Sequence, residues 1–193
     1  MAERHIALTG AAGYIGSRVL VELAAQHPDW EITAIDNFYL GDVRSVGDVD
    51  VEHVDIRNRD RLEEALDGAD VVMHLAAISG VDDCEQKRDL AYECNVQGTN
   101  NVAWFCRKHD CGLAFPISMG ILGDPEAFPI TADHSRDPMN WYGRTKVLGE
   151  RAIGTFAEEA FPAICLMKSN LYGDHEIGGR RISKGTVINF FVD

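Results

Sequence analysis

A tyrosine and a lysine four residues apart, Tyr142 and Lys146, indicate acid/base chemistry. They lie in a segment of helical periodicity, so the phenol and the ammonium share one face of the predicted helix. A tyrosine hydroxyl has a pKa of about 10 and is a poor base at neutral pH, but a nearby ammonium favours the phenolate and makes it a usable proton acceptor. The alternative is a pairing on an amphipathic helix that has no chemical role.

A glycine-rich turn near the start of the chain indicates phosphate binding. The segment TGAAGYIG, residues 9–16, joins a predicted strand to a predicted helix and spaces Gly10, Gly13 and Gly16 as GxxGxxG. Small residues there let the backbone turn tightly and approach a pyrophosphate, which faces the positive end of the helix. The alternative is a glycine turn that only packs closely on the sheet.

Asp36 favours NAD over NADP as the bound dinucleotide. It ends the second predicted strand, 20 residues after Gly16. A carboxylate at that place accepts hydrogen bonds from the adenosine ribose diol and repels a 2′-phosphate. The chain carries a net charge of −13, so we expect the backbone N–H groups of the glycine turn to make the site locally positive for the pyrophosphate.

The segments that carry these residues alternate between short apolar runs and stretches of helical periodicity, the pattern of a parallel sheet with crossover helices. Strands are predicted over residues 5–9, 31–36, 49–54, 70–77, 112–118 and 162–166. A first helix follows the glycine turn and ends at His27-Pro28, and further helices are predicted over 57–66, 90–108 and 141–160. The predicted fold class is α/β, a Rossmann-type doubly wound parallel sheet with helices on both faces.

Length, charge and cysteine content exclude several classes of protein. The 193 residues allow one sizeable core, and 18 basic against 31 acidic residues argue against partners such as nucleic acid or a membrane surface. The longest stretch without Asp, Glu, Lys or Arg is 13 residues, shorter than a membrane span. Five cysteines without a CxxC pair predict neither a disulfide framework nor a metal site. No signal region precedes the first strand, so we expect a cytoplasmic protein.

Taken together, the motifs resemble those of the extended short-chain dehydrogenase/reductase family, which includes the NAD-dependent nucleotide-sugar epimerases and dehydratases. The resemblance covers roughly residues 5 to 190. Besides the glycine turn it rests on Asp36-Asn37, Asp55-Ile56-Arg57, HLAA at 74–77, NVQGT at 95–99, YGRTK at 142–146 and NLYG at 170–173.

The resemblance implies a role for each matching residue. Tyr142 is the acid/base, Lys146 holds the nicotinamide ribose and favours the phenolate, and Ser118 hydrogen-bonds the reacting hydroxyl. The implied reaction oxidises a sugar alcohol by hydride transfer to NAD, and an epimerase then returns the hydride to the opposite face. The implied cofactor-binding residues are Gly10, Gly13, Tyr14, Ile15, Gly16, Asp36, Asn37, Asp55, Ile56, Leu75, Ala76, Ala77, Asn95, Tyr142 and Lys146.

Three departures from the family pattern limit what the resemblance implies. Ser118 is followed by Met119-Gly120, which cannot exchange the protons of an elimination, so dehydration is disfavoured. Met167 and Asp174 stand where the family tends to have arginine and proline. Most of the family's C-terminal substrate domain is missing, so we expect an NAD-binding domain over residues 1–175 and a truncated or vestigial substrate region over 176–193.

The expected function is that of an NAD-dependent epimerase or oxidoreductase acting on a nucleotide sugar, and the short length leaves open whether this chain is active alone. Two alternatives stay open: an NAD-dependent dehydrogenase or reductase of another small alcohol, and a non-catalytic NAD-binding module. The resemblance also implies a homodimer, with Trp104 and Phe105 either at its contact or in the core. The apolar segment TVINFFV, residues 186–192, is expected to dock on the domain or on a partner.

Overall fold

A computed structural model describes residues 3–125, 127–158 and 160–185, so the apolar segment at 186–192 lies outside the described residues. The strands over these residues are β1 (His5–Thr9), β2 (Glu31–Asp36), β3 (Ser45–Val46), β4 (Val49–His53), β5 (Val71–His74), β6 (Gly112–Ser118), β7 (Ala163–Lys168), β8 (His175–Ile177) and β9 (Arg180–Ile182). The α-helices are α1 (Tyr14–Gln26), α2 (Arg59–Ala65), α3 (Val81–Gln86), α4 (Arg88–Tyr92), α5 (Thr99–His109) and α6 (Trp141–Ala157).

The main sheet has seven strands in the order β3-β4-β2-β1-β5-β6-β7. Every neighbouring pair is parallel except the β3–β4 hairpin at the edge. The strand order reverses between β1 and β5, and in doubly wound sheets ligands bind at the carboxyl ends of the strands beside such a reversal. The predicted fold class is therefore confirmed, and it places the glycine turn after β1 at this edge.

Apolar side chains cover both faces of the sheet. Ala7 and Leu8 are neighbours in β1 but belong to two different core clusters, because successive side chains of a strand point to opposite faces. One cluster contains residues of α2, α5 and α6, and the other contains Leu20 of α1. Strands buried on both faces have nearly continuous apolar sequences, which is why β1 is apolar along most of its length.

The long helix predicted over residues 90–108 is interrupted. A π-helical turn, Glu93–Gly98, separates α4 from α5 and points the buried Asn95 side chain inward. The Asn95 amide accepts a hydrogen bond from the Ile78 N–H at 2.8 Å and donates to the Ile78 carbonyl and the Thr145 hydroxyl, each at 3.0 Å. These bonds tie the loop after β5 to α6. A π-helical turn contains one residue more than an α-helical turn, and helical periodicity in the sequence does not reveal that residue.

A second sheet, the β8–β9 hairpin, was not predicted and packs on α1. Ile182 joins the core cluster of Leu20, and His175 Nε2 lies 2.9 Å from the Ser17 hydroxyl. Arg180 forms an ion pair with Asp42 at 2.6 Å. The hairpin spans the expected boundary between residues 175 and 176, and that domain boundary stays a prediction.

The two aromatic residues expected at a dimer contact lie in different environments. Phe105 is fully buried in the core, whereas Trp104 is exposed and packs edge-on against Phe156. Only Trp104 of the two is therefore available for a contact, and the homodimer stays a prediction. None of the helices that the structure describes has the length and apolarity of a membrane span.

A buried hydrogen-bond chain holds β1, β5 and α5 together around His74. The Thr99 hydroxyl donates to the Asn95 carbonyl at 2.8 Å, so it accepts from His74 Nε2 at 3.0 Å. His74 Nδ1 is then the acceptor for the Thr9 hydroxyl at 2.7 Å. Burial and the charge of Lys146 lower the pKa of His74 to about 3, and the neutral ring satisfies both hydroxyl partners. His74 is thus a packed residue at the end of β5.

His74 is expected to make the protein sensitive to acid. The unfolded histidine titrates at about pH 6.5, so between that pH and about pH 3 only the unfolded state binds the proton, and stability falls as pH falls. We expect a loss of about 2 to 3 kcal/mol between roughly pH 6.5 and 4.5 from this group. Thermal melts across this pH range test the assignment. We expect H74N to flatten the pH dependence of Tm. The control H109N, at an exposed position of α5, should leave that pH dependence unchanged. Equal slopes for wild type and H74N contradict the assignment.

Candidate functional site

A cavity of about 1140 Å³ runs along the carboxyl edge of the sheet, from the N-terminus of α1 to the start of α6. Most of the sequence-predicted site residues meet in this one space. Those that line it are Gly10, Gly13, Tyr14, Ile15, Gly16, Asp36, Asn37, Ile56, Leu75, Ala76, Ala77, Ser118, Tyr142 and Lys146.

The backbone of the glycine turn is packed too closely to accept a side chain at Gly10 or Gly16. A Cβ on Gly10, where φ is +73°, lies 2.5 Å from the Ala76 backbone nitrogen, and a Cβ on Gly16 lies 2.0 Å from the Gly10 carbonyl oxygen. The first turn of α1 has no side-chain cap and no acidic residue, and its residues 13–16 line the cavity. The positive end of α1 is therefore available to an anion. The strand predicted over 70–77 is shorter in the structure, where β5 ends at His74.

Asp36 stands at the end of β2 beside this turn. Its Oδ2 accepts a hydrogen bond from the Ala12 N–H at 3.0 Å, and its Oδ1 accepts from the Phe38 N–H at 2.7 Å. Burial raises the pKa of Asp36, while these N–H groups and the charge of Arg44 act in the opposite direction. The carboxylate is thus held rigidly at the cavity wall, where a ribose diol can reach it.

Two residues of the predicted cofactor set do not line the cavity. Asp55 is an ion-pair partner of Arg57 at 2.7 Å, which holds the pKa of Asp55 at about 2. It also accepts a hydrogen bond at 3.1 Å from Asn37, which does line the cavity. Asn95 is buried in the π-helical turn, where its side chain joins protein segments. In this structure both residues support cavity-lining neighbours.

Tyr142 and Ser118 are brought together by two elements distant in sequence. Ser118 ends β6, and Tyr142 is the second residue of α6, whose N-terminus is capped by the Asn140 side chain accepting from the Gly143 N–H at 2.8 Å. The Ser118 hydroxyl accepts a hydrogen bond from the Gly120 N–H at 3.2 Å. Ser118 and Tyr142 both line the cavity, and Ser118 acts to lower the pKa of Tyr142. A substrate hydroxyl between them meets a proton acceptor and an orienting group at the same point.

Lys146 follows Tyr142 by one helical turn and is buried. Burial and the charge of Lys168 lower its pKa to about 7, and its Nζ lies 4.6 Å from the centre of the Phe115 ring. Burial and Cys84 raise the pKa of Tyr142, although Ser118 acts in the opposite direction. Lys146 therefore does not lower the pKa of Tyr142 as the sequence predicts, because burial disfavours the charged form of both side chains.

The sequence analysis did not identify several residues that line the same cavity. Lys168 and Lys184 lie toward the Tyr142 end, and Arg180 belongs to the β8–β9 hairpin. A lysine at the end of a strand is an unspecific signal, so only the fold reveals its position. No group of three or more His, Cys, Asp or Glu side chains in the described part of the chain is arranged to hold a metal ion.

Comparison with known proteins gives one consistent relationship. The family model described as the NAD dependent epimerase/dehydratase family matches residues 6–190. The chain is 30% identical to UDP-glucose 4-epimerase of Pisum sativum over 192 residues, covering 91% of this chain and 54% of that protein. It is 32% identical to UDP-glucose 4-epimerase 4 of Oryza sativa subsp. japonica over 193 residues, covering 91% and 51%.

Among solved structures, the chain is similar to UDP-glucose 4-epimerase from Brucella ovis in complex with NAD, with a TM-score of 0.78 and 28% identity. That alignment covers 85% of this chain and 51% of the Brucella ovis chain. The chain thus spans about half the length of the relatives that it matches.

Proposed function

The chain belongs to the NAD-dependent epimerase/dehydratase family, and from this premise we propose that it is the NAD-binding part of a 4-epimerase that acts on a nucleoside-diphosphate sugar. One observation carries the proposal: a single cavity joins the uncapped end of α1 and Asp36 to Ser118, Tyr142 and Lys146. Because the chain spans about half the length of its relatives, the activity of the whole protein is part of the proposal.

The shape of the cavity suggests how NAD lies in it. The N–H groups at the start of α1 would hold the pyrophosphate, and Asp36 would accept hydrogen bonds from the adenosine ribose. Asn37 and Ile56 would contact the adenine side, and Lys146 would contact the nicotinamide side. Bound NAD supplies a hydride acceptor at this end and returns the hydride.

The protein's own residues manage the proton. Tyr142 Oη, as the phenolate, would accept the proton of the sugar hydroxyl on the carbon that is oxidised to a carbonyl. Ser118 would orient that oxygen, and the Lys146 ammonium would stabilise the phenolate that the proton transfer requires. Tyr142 would return the same proton when the carbonyl is reduced again, so the sugar would undergo no net oxidation.

The experiment that tests the function combines binding with a substrate panel. NAD is titrated into the chain, and then neutral and acidic nucleoside-diphosphate sugars are incubated with the NAD-bound protein while epimers are separated by chromatography. An inverted sugar without net reduced nicotinamide supports the proposal. Accumulated reduced nicotinamide without an epimer supports the dehydrogenase alternative, and failure to bind NAD contradicts the whole assignment.

Asp36 is expected to decide between the two dinucleotides. Its carboxylate repels a 2′-phosphate, so we expect NAD to bind at least about tenfold more tightly than NADP, roughly 1.4 kcal/mol. D36N keeps one side-chain oxygen that can accept a backbone hydrogen bond, and it removes the negative charge. We expect it to weaken NAD binding and to reduce the preference for NAD over NADP. Calorimetric titration with both dinucleotides measures this. D50N, at an exposed position of β4, is the control, and an unchanged NAD/NADP ratio in D36N would contradict the role.

A further inference from the structure

Three of the five lysines of this acidic chain line the cavity near its catalytic end. These are Lys146, Lys168 and Lys184, in a protein whose net charge is −13. None of the ion pairs among the described residues joins a carboxylate to Lys168. By contrast, Lys108 on the surface forms an ion pair with Glu63 at 2.6 Å. The cavity therefore concentrates positive charge at one place.

The topology of the sheet fixes where this charge lies. Lys168 is the last residue of β7 and is paired in register with Ser118, the last residue of β6. Ser118 and Tyr142 line the same cavity. Lys184 donates a hydrogen bond to the Ser79 hydroxyl at 3.2 Å, in the loop after β5. Lys168 is thus a neighbour of the two side chains that would hold the reacting hydroxyl.

The three cations affect one another. Burial and the charge of Lys168 lower the pKa of Lys146, and burial and the charge of Lys184 lower the pKa of Lys168. Like charges in one cavity destabilise one another, and an anion bound beside Lys146 and Lys168 would reduce their repulsion. The cluster therefore favours a negatively charged ligand group at the end of β6 and β7.

We propose that Lys168, assisted by Lys184, is a specificity-determining residue that binds a carboxylate on the sugar ring of the substrate, so that the preferred substrate is a nucleoside-diphosphate hexuronic acid. This inference rests on the proposed function and goes beyond it by naming the sugar class. NAD does not account for the cluster, because its pyrophosphate fits the N-terminus of α1 at the other end of the cavity.

The connectivity of a hexose distinguishes a carboxylate from the diphosphate. In a hexuronic acid the carboxylate is attached to C5, the direct neighbour of C4, whereas the diphosphate is attached to C1 across the ring. Ser118 and Tyr142 would hold the hydroxyl of C4, and Lys168 is the strand neighbour of Ser118. In this placement the charge of Lys168 would be closer to the C5 substituent than to the diphosphate.

A carboxylate at this place also affects the acid/base pair. It would offset the charge of Lys168, which lowers the pKa of Lys146. Lys146 would then bind its proton more tightly, and its ammonium favours the Tyr142 phenolate. Binding of an acidic sugar should therefore be accompanied by proton uptake at neutral pH.

The test compares UDP-glucuronic acid with UDP-glucose, two ligands that differ in the oxidation state of C6. Each is titrated calorimetrically into the full chain saturated with NAD, in two buffers of different ionisation enthalpy to measure proton uptake. We expect UDP-glucuronic acid to bind at least tenfold more tightly and with greater proton uptake. K168Q should remove about tenfold of this preference, K168R should retain most of it, and K108Q should leave it unchanged.

Three results would overturn the inference. One is equal loss of affinity for both sugars in K168Q, which would assign Lys168 to the diphosphate. Another is weakening of NAD binding alone in that variant, which would assign it to the cofactor. The third is NAD binding by wild type with no preference for the acidic sugar. Thermal melts of each variant show that it is folded, and failure of wild type to bind NAD would instead contradict the proposed function and this inference with it.

Discussion

Y142F is expected to reduce nucleotide-sugar turnover about a thousandfold while changing NAD affinity by less than about threefold. The ring of Tyr142 is buried between α6 and the loop after β5, and phenylalanine keeps that packing. What the variant lacks is the Tyr142 oxygen, which in the proposed mechanism would accept the substrate proton. Rates of epimer formation and a parallel NAD titration separate the chemical role of the hydroxyl from a structural one.

The control for this variant is Y92F on α4. Tyr92 is 40% exposed and does not line the cavity, so loss of its hydroxyl should leave turnover at the wild-type level. S118A should give an intermediate loss, because serine orients the reacting oxygen and does not carry the proton. Turnover by Y142F within tenfold of wild type would show that another group is the acid/base.

G16A is expected to abolish measurable NAD binding and to destabilise the fold by about 2 to 3 kcal/mol. A Cβ on Gly16 lies 2.0 Å from the Gly10 carbonyl oxygen and 2.8 Å from the Ala11 Cα. All of these are backbone atoms, which cannot rotate away as a side chain can. The glycine turn must therefore move, and the N–H groups that would hold the pyrophosphate move with it.

A matched glycine shows that the effect comes from the turn. Gly154 lies on the exposed side of α6, and a Cβ there has no neighbour within 4 Å. G154A should stabilise the protein by about 0.5 to 1 kcal/mol, because alanine loses less backbone entropy in a helix. Urea unfolding and NAD titration of both variants measure the contrast. If G16A bound NAD with wild-type affinity, the glycine turn would not be part of the cofactor site.

Local rules of sequence explain how much of the site could be predicted. The spacing of Gly10, Gly13 and Gly16 specifies a strand-to-helix turn, and the four-residue spacing of Tyr142 and Lys146 places both on one helix face. Alternating apolar runs and helical segments predict a doubly wound sheet, in which these residues must meet at the carboxyl edge. The fold class and the family expected from these motifs are confirmed.

Two features that were not predicted from the sequence form where segments distant in the chain contact each other. The π-helical turn around Asn95 exists because its side chain bonds Ile78 and Thr145, which are 17 and 50 residues away in sequence. The β8–β9 hairpin is short and strongly polar, so it has no periodic signal, and it is held by contacts with Ser17 and Asp42. Neither feature follows from rules that read only neighbouring residues.

The sequence by itself therefore determined the fold class, the family and most of the predicted site residues that line the cavity, because these depend on periodicity and on spacing within single elements. The tertiary structure decided that Lys168 lies beside Ser118 and Lys146, that Asp55 is bound to Arg57, and that burial works against the charged forms of Tyr142 and Lys146. The physical reason is that burial and Coulomb interactions depend on distance through space. Strands 50 residues apart in the chain set that distance, and no local pattern records it.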